Sequence, residues 1–270
     1  MAVRRQSRPR RFLMCEPRHF DVSYAINPWM HPDEEVDVRR AHRQWESLVA
    51  SFRAHGHVVE TLPPAPGLPD MVFAANAALV LGGRALGSVF HAPQRRGEAD
   101  HYELWLKDAG VPVRRARSVC EGEGDLVPVA GRVLAGTGFR TTPEAHREAE
   151  ELFGVPVVAL RLVNPFFYHL DTALFALDDE NVAYYPDAFA PESRAVLERL
   201  FPHAVIATLG DALAFGLNSV SDGRHVFVAP GAVALGEELA RLGYVPVPVD
   251  LSEFRKAGGG IKCCTLEVRS

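Results

Sequence analysis

Residues 257–265 read AGGGIKCCT, and three consecutive glycines run directly into Cys263. Such a run costs backbone entropy, so it points to a tight path or to the close approach of a ligand. A thiol held on a glycine-shaped turn is well placed as a nucleophile, provided that something lowers its pKa. Residues 164–175, NPFFYHLDTALF, set His169 and Asp171 two apart, hence on one face of an expected strand. Polar groups on such a face must meet each other or a ligand. Residues 120–126, CEGEGDL, pack Glu121, Glu123 and Asp125 beside two glycines just ahead of a hairpin. Taken singly, each stretch has an ordinary reading: a buried structural Cys pair, a satisfied core histidine, a solvated acidic loop. Their placement within a repeat argues for a shared site.

The repeat is a hairpin phrase. Two β-prone runs surround Gly-Gly in VFAANAALVLGGRALGS, and the phrase returns in DLVPVAGRVLAG, TALFALDDENVAYYP and NSVSDGRHVFVAP. The closing run CCTLEVRS lacks a downstream partner and the opening run RRFLMCEP an upstream one, so pairing the two ends completes a fifth hairpin. The spacing, roughly 50 residues, falls in the window of propellers and arrays. A helix signal and a short apolar strand follow each hairpin. The helices are expected within DEEVDVRRAHRQWESLVASFRAHG, GEADHYELWLKDAG, TPEAHREAEELFG, APESRAVLERLF and GEELARLG, with Gly56, Gly110, Gly154 and Gly243 marking stops. Each unit reads strand, strand, helix, strand. A closed ring of five removes open sheet edges and creates an axial channel where equivalent positions converge. The expectation is one α/β domain over residues 1–270, a five-bladed propeller of ββαβ repeats with pseudo-five-fold symmetry, with residues 1–9 as a flexible, solvated tail.

The three motifs GGGIKCCT, YHLDT and EGEGD together resemble the guanidino-group-modifying superfamily of amidinotransferases, arginine deiminases and dimethylarginine dimethylaminohydrolases. The order, carboxylate then His then a C-terminal Cys, is also similar. CEPRHFDVSYAINPWM, LPDMVFAANAALV and GTGFRTTPEAH look most like the hydrolase domain of bacterial arginine dihydrolases. The resemblance implies a five-bladed α/β propeller, the pentein fold. It implies Cys263 as nucleophile, His169 as general acid/base and Glu121 as the carboxylate that orients the His, with Glu123 as a rival. It further implies that Asp171 contacts the guanidinium and that Arg140 binds the substrate carboxylate. The expected chemistry is a covalent amidino-thioether on Cys263, formed and hydrolysed with His169 as proton carrier, with no metal and no organic cofactor.

Where those relatives carry acidic residues after VF, this chain has Ala75 and Asn76, while Asp70 is retained. An amide can face a guanidinium and also pair with a neutral ureido group. Together with Asn27 in AINPWM, this favours an arginine dihydrolase-like reaction to ornithine, carbon dioxide and ammonia. The alternatives are a dimethylarginine dimethylaminohydrolase giving citrulline and an amine, or an amidinotransferase. A binding protein of the ribosome anti-association type shares the fold, but such proteins lack the Cys, His and carboxylate set. The resemblance also suggests an Arg in the strand around residues 86–91, where this chain has Val89, leaving Arg95 or Arg96 to reach in.

The bulk numbers agree with a small-molecule enzyme. A net charge of -5 disfavours nucleic acid and acidic membrane surfaces. No run approaches the roughly 18 apolar residues of a membrane span. Four scattered cysteines fit free thiols in a reducing, cytoplasmic setting. The sequence is silent on oligomeric state, and a homo-oligomer stays open.

Overall fold

Residues 5–270 are described in the computed structural model, and they form five three-stranded sheets. The chain ends share one of them: Arg11–Cys15 pairs antiparallel with Leu266–Glu267 and parallel with Val58–Leu62. The other four are each a hairpin followed, after a helix, by a parallel third strand. The hairpins are Ala78–Leu81 with Arg84–Gly87, Leu126–Val129 with Arg132–Thr137, Leu174–Ala176 with Val182–Tyr184, and Val220–Ser221 with His225–Val228. Their parallel partners are Val113–Arg115, Val157–Arg161, Val205–Ile206 and Val245–Pro248. A helical crossover is what a parallel pair requires, and the expected helices supply it.

Local chemistry explains the turns. Gly82 and Gly83 (φ 57 and 67) and Ala130 and Gly131 (φ 52 and 70) lie in the left-handed region that two-residue hairpin loops demand. Ala130 is held there against its preference by its N–H donating to the Asp179 carbonyl at 2.8 Å. The first helix, Val38–Ala54, starts where the Asp37 carboxylate caps the Arg40 amide, and buries Ala41, Trp45, Leu48, Val49 and Phe52 along one stripe. It begins five residues later than DEEVDV suggests. Pro143–Phe153 ends at Gly154, φ 68, as expected. Short helices at Leu209–Leu213 and Ser252–Arg255 were not anticipated.

Two expectations change. Two segments expected as strand, the start of VFAANAALV and the stretch around His169 and Asp171, are instead 3-10 turns at Ala74–Ala77 and Leu170–Thr172. Pro69–Val72 and Gly122–Gly124 form similar turns ahead of their hairpins. His169 therefore caps a turn and does not share a strand face with Asp171. Likewise the chain around Cys263 is a helical turn, with Cys264 N–H donating to the Gly260 carbonyl, and the strand begins only at Leu266. The tail is also not loose from residue 5 onward. Arg5 pairs with Asp178 at 2.6 Å and lies over the Tyr244 ring, while the Arg8 amide bonds Asp222 O. Residues 1–4 of the expected tail lie outside the described residues.

Apolar cores fill the space between sheets and helices. The turns that precede the hairpins meet one another, and there the buried side chains are polar. No helix among the described residues is long and apolar enough to cross a membrane.

Candidate active site

Five turns, one ahead of each hairpin, bring the chemistry together. They contribute Asp70 and Asn76, Glu121 and Asp125, His169 and Asp171, Asn218, and Cys263, all buried. The approach is close because glycine permits it: a Cβ on Gly124 would collide with the Asn76 amide and crowd the His169 ring, and one on Gly260 would sit 2.9 Å from Asn218 Oδ1.

The Cys263 sulfur lies 3.3 Å from Asp171 Oδ2 and accepts from Asn218 Nδ2 at 3.1 Å. Asn218 also holds the loop itself, its Oδ1 accepting the Cys263 N–H at 3.1 Å. Burial pushes the thiol well above its ordinary pKa, and the Asp171 carboxylate adds to this. Burial raises Asp171 as well, to about 6. The pair is thus a neutral thiol beside a reluctant anion.

His169 stands between two carboxylates, Nε2 3.1 Å from Glu121 Oε2 and Nδ1 3.1 Å from Asp125 Oδ2. Burial alone would lower its pKa; Asp125 and then Glu121 outweigh that and raise it to about 9. The imidazolium is therefore the resting form at neutral pH. Glu121 is fully buried, and although burial opposes its ionisation, His169 and Arg140 hold its carboxyl below the usual range. Its other oxygen accepts the His91 N–H at 2.9 Å.

The remaining expected residues line a small cavity beside Cys263, about 10 Å³ and so the space of a single water, shared by Asn27, Asp70, Asn76, Arg95, Arg140 and Tyr168. Asp70 accepts from Tyr24 Oη at 2.8 Å, and its Oδ1 is buried without a partner. Asn76 accepts from Arg95 Nη1 at 2.8 Å and turns its amide nitrogen toward Glu121 O and His169 Nε2. Arg140 reaches Glu121 at 3.2 Å and the Ile26 carbonyl at 2.7 Å, over the Tyr168 ring. Asn27 is engaged with backbone, accepting the Trp29 N–H at 2.9 Å and donating to Ala257 O at 3.1 Å. Among the described residues no group of three or more His, Cys, Asp or Glu is placed to hold a metal ion.

No family model matches the chain. Its sequence is 47% identical over 266 residues to an N(G),N(G)-dimethylarginine dimethylaminohydrolase of Mycobacterium tuberculosis, covering 98% of this chain and 88% of that protein. The chain belongs to that family of guanidino-group hydrolases. It is also 38% identical, over 96% of its length, to the bifunctional arginine dihydrolase/ornithine cyclodeaminase AgrE of a Nostoc species, of which it spans 38%. The N-terminal domain of ArgZ, a cyanobacterial arginine dihydrolase solved with bound substrate, superposes with a TM-score of 0.93 at 36% identity, covering 97% of this chain and 98% of that domain.

Within this dimethylaminohydrolase and dihydrolase family frame, three sequence inferences resolve. Glu123 does not meet His169; it is tied to Lys262 at 2.6 Å and to Arg269, so the rivalry with Glu121 ends. Arg95, not Arg96, enters the cavity wall, gripping Glu98 with two nitrogens at 2.9 and 2.8 Å and lying over Phe90. Val89 bridges to Cys120 and does not line the cavity beside Cys263. Asp125 and Asn218 were missed as site residues. Asp125 closes the acidic motif already singled out, and Asn218 opens its hairpin phrase at the point equivalent to His169 and Cys263, so repeat position was the available signal.

Proposed function

We propose that the protein is a cysteine hydrolase of the guanidino group of arginine or an arginine derivative, working through an amidino-thioether on Cys263. The convergence of Cys263, Asp171 and Asn218 with an imidazole that lies 3.1 Å from carboxylate oxygens of both Glu121 and Asp125 carries this reading. A guanidinium whose carbon meets the sulfur has its nitrogens within reach of Asp171, an anionic partner suited to a planar cation. Its charge beside Sγ and Asp171 favours the thiolate, the thiol proton leaving to solvent as the cation binds, and so reverses the effect that holds the thiol neutral. The thiolate adds to the carbon, and His169 gives its proton to the departing nitrogen as the C–N bond breaks. Neutral His169 then takes a proton from water, which attacks the thioether carbon and frees a ureido product and the sulfur. Buried carboxylates Asp70, Glu98, Glu121, Asp125 and Asp171 outnumber the arginines Arg95 and Arg140, which suits a cationic substrate. Arg95 and Arg140 on the cavity wall are the groups for its α-carboxylate.

Asn76 supports the full dihydrolase course to ornithine, carbon dioxide and ammonia, because an amide in contact with His169 tolerates a neutral ureido group. The alternative, dimethylarginine to citrulline and dimethylamine, is favoured by the 47% identity to a protein so named. The reading also takes the five sheets as closing into one ring and one domain, supported by the paired chain ends. Four unpaired buried cysteines support a cytoplasmic setting.

Incubation with arginine, NG,NG-dimethylarginine, citrulline and agmatine, following ammonia, amine and amino-acid products, tests the reading. Ornithine from both arginine and citrulline marks the dihydrolase; citrulline and dimethylamine mark the alternative. Cys263→Ser and His169→Ala are each expected to abolish turnover. Undiminished turnover in either removes that residue from its role.

A further inference from the structure

A second cavity of about 520 Å³ lies at the other end of the sheets, among the hairpin turns. Its rim includes exposed Gly82, Gly131, Asp179 and Ser270, so it opens to the surface. Its inner wall holds Asp171, Lys262 and Glu123. Asp171 thus belongs to both places: Oδ2 faces the Cys263 sulfur at 3.3 Å, while Oδ1 is buried without any partner. A buried carboxylate oxygen left unpaired beside a cavity marks a point where a small hydrogen-bond donor is received. Beside it, Lys262 Nζ spans from Glu123 at 2.6 Å to the Thr265 carbonyl at 2.9 Å, an ion pair on a side chain long enough to swing.

The chemistry of the proposed reaction creates the need for such a place, and the inference rests on that reading. When the sulfur bonds to the guanidinium carbon and one C–N bond breaks, the departing nitrogen leaves with the bonding pair and a proton from His169. The amino-acid portion stays attached through its remaining C–N bond, and so it occupies the side of Cys263 on which the front cavity lies. One ammonia or small amine must leave the carbon, and one water must reach it, while that front is blocked. We infer that the hairpin-end cavity is a rear passage for these small molecules, with Asp171 Oδ1 at its inner end and the Lys262–Glu123 pair as its gate.

Plugging the passage away from the reacting groups tests this. Val129→Trp fills the cavity from its wall, and Val220→Phe does so more gently should the first fail to fold; melting temperature reports folding. Each is measured for kcat with the best guanidino substrate and, after acid quench in the steady state, for the fraction of chain carrying the covalent adduct by mass spectrometry. The passage requires kcat to fall about fivefold or more while the adduct fraction rises, because water reaches the thioether slowly. A folded variant with unchanged kcat overturns the passage, and so does a fall in kcat without adduct accumulation. A wild-type protein that turns over no guanidino compound overturns the functional reading instead, and is recognised before any variant is made.

Discussion

Asp125→Asn isolates the least expected feature of the site, an imidazole clasped from both sides. The His169 pKa of about 9 stands some 2.5 units above an unfolded histidine, a difference worth about 3 kcal/mol. Because the folded value is raised, that stability is fully present below about pH 6.5 and is lost as pH climbs toward 9. Asp125 lies 3.1 Å from Nδ1, where a unit charge contributes at most about 5 kcal/mol at an effective dielectric constant of about 20. Glu121 at the same distance shares the work and burial opposes both, so removing the Asp125 charge is expected to lower the pKa by about 1 unit or more. The amide also disappoints a backbone donor. Asp125 accepts from Leu170 N at 3.0 Å and from Thr141 N at 3.2 Å, and an Asn can accept well at one only, costing about 1–3 kcal/mol at every pH.

The diagnostic is therefore the slope and not the offset. Urea unfolding of wild type and variant at intervals from pH 6 to 9 gives the stability difference between them, in which the opposite contributions of buried His57 and His146 cancel. The gap is expected to be wider at pH 6 than at pH 9 by about 1 kcal/mol or more, the wild-type histidine being still half protonated at pH 9. The imidazole resonances of His169 are expected to titrate at least about 1 unit lower in the variant. Where turnover is measured, the alkaline limb of activity moves the same way, because the proton donor is lost earlier. Parallel stability curves, or an unmoved His169 midpoint, would refute the claim that Asp125 sets the charge of this histidine.

Glu123→Gln removes a buried carboxylate charge from half-buried Lys262 and from Arg269, which keeps Glu267, and is expected to cost about 1–3 kcal/mol in urea unfolding, with the His169 midpoint unmoved. A shifted midpoint would reinstate Glu123 as the histidine's partner. Gly124→Ala drives a methyl into Asn76 and His169, and is expected to lower kcat at least about tenfold with the protein still folded; wild-type activity would show that the turn relaxes freely. Cys264→Ser buries a hydroxyl in an apolar cluster that also contains Phe12, Met14 and Phe254, costing about 1–3 kcal/mol of stability with kcat within about threefold of wild type. Loss of activity equal to that of Cys263→Ser would identify the wrong sulfur as the nucleophile.

The hairpins, their left-handed turns and the pairing of chain ends were legible because each depends on a few residues with strong backbone preferences: Gly82-Gly83, Ala130-Gly131, and two terminal runs without partners. The 3-10 turns ahead of the hairpins were not legible. Segments such as AANA and LDT carry no proline or left-handed glycine to mark them, and their conformation is imposed by packing against equivalent turns. That same packing decides between Glu121 and Glu123. Two residues apart in a Gly-rich motif, either carboxylate satisfies the pattern, and only the side of the turn that meets His169 separates them from the side that meets Lys262 and Arg269.

The repeat nevertheless contained more than the motif matches extracted from it. Structurally equivalent turns come to one place, so a polar residue at the turn of any unit is a candidate for the site whatever its own motif suggests. Applied to the five units, that rule selects Asn76, Asp125, His169, Asn218 and Cys263, and each of these is buried where the turns meet. Asn218 opens an unremarkable NSVSDG segment, yet it fixes both the Cys263 amide and the Cys263 sulfur. Burying such groups is costly unless they are mutually satisfied. The arrangement leaves Asp70 Oδ1 without a partner in the small cavity beside Cys263, and Asp171 Oδ1 without one toward the hairpin-end cavity. The unmatched Asp70 oxygen is where a cationic substrate has most to offer on the Cys263 side, and it is an electrostatic reason to expect it to bind.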